Sequence, residues 1–212
     1  MSSTTSARVD HLVYATPDLD ASVAELEARL GVRASVGGRH LGRGTRNALI
    51  AFGPTSYLEI IGPDPEQPPT AAPRWFSVDA VPGARLVAWA ANAANLEQVV
   101  ATGHSNGVML GAIGSGSRQR ADGVTLDWRF TDPTVTVEGG VIPFFIDWQA
   151  SPHPAASASA AVSLVDFRAE HPDPERVARM LVALGLDLGI SAGPTPRLVA
   201  TIGTPSGLAE LR

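Results

Sequence analysis

Two polar residues interrupt apolar runs that otherwise have the composition of β-strands. His11 lies in the first run, at 9–15, and Glu59 lies in another, at 57–61. Burying an imidazole or a carboxylate without a partner is costly, so these positions favour contact between the two side chains. If the two strands are neighbours, the sequence predicts an imidazole–carboxylate pair on one face of a sheet. The alternative is that each residue only supports its own strand through local hydrogen bonds.

A glycine-rich segment between these runs carries three further candidates, His40, Thr45 and Asn47. Glycines permit close backbone approach and positive φ angles, so polar side chains in this segment could project into a cleft. There His40 would act as a catalytic group that contacts substrate or shuttles a proton. Thr45 and Asn47 would bind substrate. The alternative is a loop held together by side chain to backbone hydrogen bonds.

Three tryptophans, Trp89, Trp128 and Trp148, fall in predicted strands of the second part of the chain. Large aromatic side chains usually fill a core, but they also form the walls of ligand clefts. We assign two of the three to the core and expect Trp148 to line the cleft and bind substrate. His153, between prolines, is interpreted as part of a surface turn, with a fold back over the cleft as the alternative.

The predicted elements follow one order, strand, helix and three strands, which starts three times. The modules span 8–63, 84–149 and, as a looser βαβ-type unit, 161–212; 64–83 and 150–160 are linkers, and 1–7 is a disordered tail. Gly37–Gly38 are placed in a glycine-rich loop between two strands, and Gly114–Ser117 are interpreted as a turn. This order predicts an α+β fold of repeated βαβββ modules whose curved mixed sheets surround a cleft. The modules pair either within one chain or across a homodimer, and the third unit would support dimerisation or cover the cleft.

Composition narrows the classes of partner and chemistry. The 212 residues carry a net charge of −5 and no cysteine, which argues against a nucleic-acid partner and against thiolate or disulfide chemistry. No apolar run is long enough for a membrane span, and the first residues do not form a signal peptide, so we expect a cytoplasmic protein. The chain has no GxSxG, P-loop or HExxH motif and no dinucleotide-type GxGxxG, so no nucleotide cofactor is expected. A small-molecule ligand or substrate is the expected partner.

Two runs carry a resemblance to a known superfamily. VDHLVYATPDLDASVAELEARLG resembles the opening of a vicinal-oxygen-chelate module. GGRHLGRGTRNALIAFGPTSYLEIIGP is similar to the signature of the glyoxalase-like branch, GGxHxxxGTxN followed by YLE. The resemblance covers roughly residues 9–154. It implies paired βαβββ modules around a cleft in which a divalent metal, Fe, Mn, Ni or Zn, chelates two oxygens of a substrate.

The resemblance also implies a ligand set, one His from the first strand and one Glu or His from the last strand of each module. His11 and Glu59 match in the first module, whereas Ala88 stands at the His position of the second, and Asp147 takes the place of the second carboxylate. One His and two carboxylates would suit Fe(II), Zn or Mn. Two functions follow: a metal-dependent lyase, isomerase or dioxygenase acting on a small oxygenated molecule, or a non-catalytic binding protein of the resistance or sequestration type. His11 and Glu59 favour the first, and Ala88 favours the second.

Overall fold

The computed structural model describes residues 9–68, 73–119, 123–157 and 161–212. The predicted tail at 1–7 lies outside these residues, as do parts of the two predicted linkers. The chain passes three times through the order strand, helix and three strands. The first pass is β1 (Val9–Ala15), α1 (Leu19–Leu30), β2 (Ser35–His40), β3 (Thr45–Gly53) and β4 (Ser56–Pro63), and the second is β5 (Arg85–Asn92), α2 (Leu96–Ser105), β6 (Ile113–Gln119), β7 (Thr125–Thr131) and β8 (Phe144–Asp147). The third is β9 (Ser163–His171), α3 (Pro174–Ala183), β10 (Gly189–Ala192), β11 (Arg197–Thr204) and β12 (Gly207–Leu211). No helix of the described part is long and apolar enough to cross a membrane.

Each helix begins at a side chain that satisfies one of its free backbone donors. Asp18, Asn95 and Asp173 each accept a hydrogen bond from the backbone N–H three residues later, at 2.9–3.2 Å. Helix α1 ends at Gly31, whose φ of 69° is a left-handed conformation that glycine adopts without strain. The caps therefore fix where each helix leaves the sheet.

Strands β1 to β8 form one curled sheet in the order β2-β3-β4-β1-β5-β8-β7-β6. In each half the first strand runs parallel to the last strand of its own module, and β1 pairs antiparallel with β5 to join the halves. The sheet bends until its edge strands β2 and β6 approach each other. The predicted α+β fold with a curved mixed sheet is confirmed, and the first two modules pair within one chain.

Strands β9 to β12 form a second sheet in the order β10-β9-β11-β12. Its element order repeats that of the other modules, but β9 pairs in parallel with β10, the strand that directly follows its helix, and not with the last strand. The two sheets share one apolar core, in which Trp89 meets Phe167 edge-on with ring centres 5.4 Å apart. The third unit therefore covers the face of the large sheet to which Trp89 belongs. The domain boundaries drawn from the sequence stay a prediction.

Two glycine runs that the sequence analysis places in a loop and in a turn lie inside strands. Gly37 and Gly38 belong to β2, and residues 114–117 belong to β6. A Cβ atom on Gly37 would lie 2.0 Å from Asn47 Oδ1, and one on Gly116 would lie 2.5 Å from Trp128 Cε2. These glycines leave space for large side chains of the neighbouring strand, so their assignment to a loop and to a turn was wrong.

Candidate functional site

A β-bulge brings a second acidic residue beside His11. The pairing of β1 with β5 shifts register between Val9 and His11, so Asp10 is the extra residue of the bulge. Asp10 is 1% exposed, and its Oδ1 lies 2.7 Å from His11 Nδ1. An aspartate next to a histidine in a regular strand would point to the opposite face, so the bulge makes this contact available.

Asp10 is held as a carboxylate by several donors. Burial alone would raise the pKa of Asp10, but hydrogen bonds from His11 and His153 hold that pKa well below its ordinary value. Trp148 Nε1 donates to Oδ2 at 2.9 Å, and His153 Nε2 lies 3.3 Å from the same oxygen. An ionised Asp10 accepts the Nδ1 proton of His11, which leaves Nε2 as the atom that faces Glu59.

Glu59 is 3.7 Å from His11, measured from Oε2 to Nε2, as the sequence predicts for neighbouring strands β1 and β4. Asn47 Nδ2 donates to Glu59 Oε1 at 2.5 Å and lies 3.4 Å from His40 Nε2. His40 Nδ1 lies 2.9 Å from Thr45 Oγ1. The structure therefore brings together five predicted site residues, although Thr45 is buried behind His40 and does not line the cavity.

The cavity beside this network is small and aromatic, with about 50 Å³ of space for a water-sized sphere. His11 stacks on Tyr57 with ring centres 4.7 Å apart and meets Phe144 edge-on at 5.5 Å. The other aromatic residues that line the cavity are Trp75, Phe76, Trp128, Phe130 and Trp148. A space of this size holds only a few heavy atoms unless a wall moves.

Three of these residues depart from the sequence interpretation. Trp148 lines the cavity as predicted, and Trp128 lines it as well; both are also buried members of an apolar cluster, so Trp128 is at once the core residue that was predicted and a wall of the cavity. Trp75, from the predicted linker, is 8% exposed and contacts His40 with ring centres 5.1 Å apart. His153 lies next to Asp10 and Tyr57 and not in a free surface turn. This position agrees with the alternative drawn from the sequence, a fold of His153 back toward the cleft.

Comparison with known proteins identifies the family. The glyoxalase-like domain family matches residues 9–185 of the chain. The chain belongs to this family. It is a member of the vicinal-oxygen-chelate superfamily that the two sequence runs resemble, which confirms that resemblance. No curated protein matches it.

Solved structures that are similar to this glyoxalase-like protein have low sequence identity to it. A hypothetical protein from Staphylococcus aureus is 15% identical, with a TM-score of 0.68, over 95% of this chain and 97% of that one. A methylmalonyl-CoA epimerase from Streptomyces coelicolor is 21% identical, with a TM-score of 0.46, over 69% and 98%. The epimerase from Mycobacterium tuberculosis is 17% identical, with a TM-score of 0.39, over 69% and 89%. The similarity to the S. aureus protein extends over nearly the whole of both chains.

The second module of this glyoxalase-like protein lacks the ligands of the first. His11 and Ala88 each lie eight residues before the first residue of the following helix, Leu19 or Leu96, so they are equivalent positions. Glu59 pairs with Val13, and Phe144 pairs with Ala90; Val13 and Ala90 each lie six residues before their helix. Phe144, not Asp147, is therefore the counterpart of Glu59.

Asp147 lies apart from the pair that it was predicted to join. Its neighbours Ile146 and Trp148 line the cavity, and strand alternation turns Asp147 to the other face. There Asp147 Oδ1 accepts a hydrogen bond from the backbone N–H of Gln149 at 2.8 Å. Asp147 therefore lies three positions after Phe144, the counterpart of Glu59, and faces away from the His11–Glu59 pair.

Members of the superfamily commonly use a divalent metal, so the donor set matters. His11 Nε2 and Glu59 Oε2 are close enough to share an ion. Within the described ranges, however, no group of three or more His, Asp or Glu side chains is arranged to hold a metal. Catalytic metal sites usually have three protein ligands. The residues present do not fit a resident metal centre of this kind.

Proposed function

We propose that this glyoxalase-like protein is an isomerase or lyase that moves a proton on a small oxygenated molecule. The observation that carries the proposal is the buried Asp10–His11 pair, which directs His11 Nε2 toward Glu59 at the cavity. A carboxylate that accepts from one ring nitrogen fixes the tautomer and leaves the other nitrogen as the base. No step is assigned to a metal, because the donor set does not fit one. Of the metal-dependent lyase, isomerase or dioxygenase predicted from the sequence, the proposal keeps the isomerase and the lyase and leaves out the metal.

The proposed step removes a proton from carbon next to a carbonyl group. The C–H electron pair moves toward the carbonyl to form an enolate, and the proton goes to His11 Nε2. Asp10 and Glu59 then stand on the two sides of the imidazolium and stabilise its charge. Return of the proton to another position or face gives an isomerase, whereas loss of a leaving group gives a lyase. The aromatic walls exclude water from the reacting atoms.

Solvent deuterium exchange tests this proposal without knowledge of the product. A panel of 2-oxo acids, 2-hydroxy ketones and thioesters is incubated with the protein in D₂O, and loss of C–H signal is followed by proton NMR. We expect exchange into at least one compound class, reduced about 100-fold or more in His11→Gln, as for loss of a general base. His104→Gln, an exposed histidine at the end of α2, is the matched control and should exchange like wild type.

Exchange that survives in His11→Gln would contradict the assignment of the base. Absence of exchange for every class would favour the second candidate, a non-catalytic protein that sequesters a small molecule. That candidate is supported by Ala88 and Phe144 at the ligand positions of the second module and by the aromatic walls. In that case ligands would change tryptophan fluorescence equally in wild type and in His11→Gln. A homodimer and a cytoplasmic location stay predictions from the sequence.

A further inference from the structure

Two cavities lie on either side of the Phe76 side chain, and neither alone has both the reactive groups and the volume that a substrate site needs. The first, beside His11, has the reactive groups but only about 50 Å³. The second, which we call the outer cavity, has about 620 Å³ and is lined by residues of β5, the β11 region and two loops, with Arg85 and Arg197 among them. Ligand sites usually enclose about 300–1,000 Å³. Phe76 lines both cavities.

The outer cavity is lined by arginine side chains. Three arginines line it, Arg85, Arg197 and Arg212, and none of its lining residues is acidic. Arg212 Nε is engaged by Glu210 at 2.7 Å, whereas Arg197 Nη1 is 3.9 Å from Glu170 Oε2. Across the described ranges, no side-chain hydrogen bond or ion pair engages the Arg85 guanidinium. Arg85 and Arg197 therefore keep donors for an oxyanion, which guanidinium groups bind with two parallel hydrogen bonds.

The wall between the cavities is aromatic and thin. The rings of Phe76 and Phe144 have centres 5.8 Å apart, and Phe144 in turn contacts the His11 ring. Ala88 lines the outer cavity and packs in the same apolar cluster, so the missing ligand side chain leaves space on this side of His11. Phe76 and Ser77 both have left-handed backbone conformations, with φ of 56° and 50°. Such strain in non-glycine residues is characteristic of ligand clamps and switch regions.

We propose that the outer cavity binds the anionic end, a carboxylate or phosphate group, of a substrate whose oxygenated end reaches His11 past Phe76. Arg85 and Arg197 would hold the oxyanion, and rotation of the Phe76 ring would join the two spaces. This inference rests on the proposed function, because it names the substrate class for the same site. It assigns anion binding to the arginines and proton transfer to His11, so an experiment can contradict the anion site without contradicting the proposed function, and the reverse.

An NMR titration at constant ionic strength tests the anion site, with inorganic phosphate and acetate as probes. We expect saturable shifts of the backbone amide signals at 85–88 and 197–198 with at least one probe, and the tighter probe identifies the anionic group. In the double variant Arg85→Gln/Arg197→Gln the affinity should fall at least about tenfold, the effect of losing charge-assisted hydrogen bonds. Arg179→Gln, an exposed arginine on α3, is the matched control and should bind like wild type.

The anion site would be overturned if the double variant bound both probes as tightly as wild type does, or if the chemical shift changes of wild type did not saturate. The His11→Gln variant should still bind the anion with wild-type affinity. If the arginines bind anions but no compound exchanges deuterium, the proposed function fails and the anion site stands. If deuterium exchange depends on His11 but substitution of the arginines does not change anion affinity, only this inference fails. With an anionic substrate, the double variant should raise KM about tenfold and leave kcat unchanged.

Discussion

Asp10 determines which nitrogen of His11 can exchange a proton. In Asp10→Asn the side chain keeps its shape but loses its charge and one of its two acceptor oxygens, so it can no longer accept from both His11 Nδ1 and Trp148 Nε1. We expect deuterium exchange to fall about 100-fold or more, comparable to loss of the base itself. The measurement is the exchange rate of the same compound in wild type, Asp10→Asn and Asp166→Asn, where Asp166 is an exposed aspartate of β9. Wild-type exchange in Asp10→Asn would show that Asp10 has no part in orienting His11.

The same substitution gives a second, pH-dependent readout at this residue. The pKa of Asp10 is lower in the folded protein than in the unfolded chain. The ionised carboxylate therefore stabilises the fold at pH values above the unfolded-state pKa of about 3.9, and this contribution is lost as the pH falls toward the folded-state pKa. We expect Asp10→Asn to lower the free energy of unfolding by about 1–3 kcal/mol at pH 7, as for a buried charged hydrogen bond. In urea titrations this difference should shrink below about pH 4. A difference that is constant between pH 7 and pH 3 would contradict the pKa assignment.

At the scale of elements, the glycines of β2 and β6 let neighbouring strands carry large cleft side chains. In Gly37→Ala the new methyl group would collide with the Asn47 amide, which donates to Glu59. We expect a loss of about 1–3 kcal/mol in the free energy of unfolding, typical of overpacking, together with reduced exchange. Gly53→Ala is the matched control, because nothing lies within 4 Å of its added Cβ. A Gly37→Ala variant as stable and active as Gly53→Ala would contradict this role of Gly37.

The sequence predicted the strand–helix order and the meeting of His11 with Glu59, because period-2 patterns and helix caps are local signals. It could not predict the strand assignment of Gly37, because glycine content indicates turns equally well. Asp10 was missed for a related reason: strand alternation turns it away from His11, and only the bulge, a property of pairing with β5, reverses that. Asp147 was misplaced because a short strand after Pro143 fixes no register in the sequence alone. Register depends on the neighbouring strand.

The large sheet of the molecule is built from two modules that have the same element order and unequal sites. Pairing of β1 with β5 sets the halves side by side, so each could supply two ligands to a shared centre. Only the first half does so, with His11 and Glu59. The second half presents Ala88 and Phe144, an apolar pair that borders the outer cavity on one side and the first cavity on the other. The asymmetry gives the cleft one polar wall, with His11 and Glu59, and one apolar wall.

This asymmetry predicts how the protein responds to metal. Wild type should bind added Zn²⁺ or Mn²⁺ weakly, since two protein ligands are fewer than metal sites usually have. The double variant Ala88→His/Phe144→Glu restores four donors, and we expect its affinity for Zn²⁺ to exceed that of wild type about 100-fold or more, measured by competition with a chelator. Each single variant is the control and should be intermediate. Stoichiometric metal in purified wild type that is lost in both His11→Ala and Glu59→Ala would contradict this prediction, and the reaction would then be that of a metal-dependent enzyme.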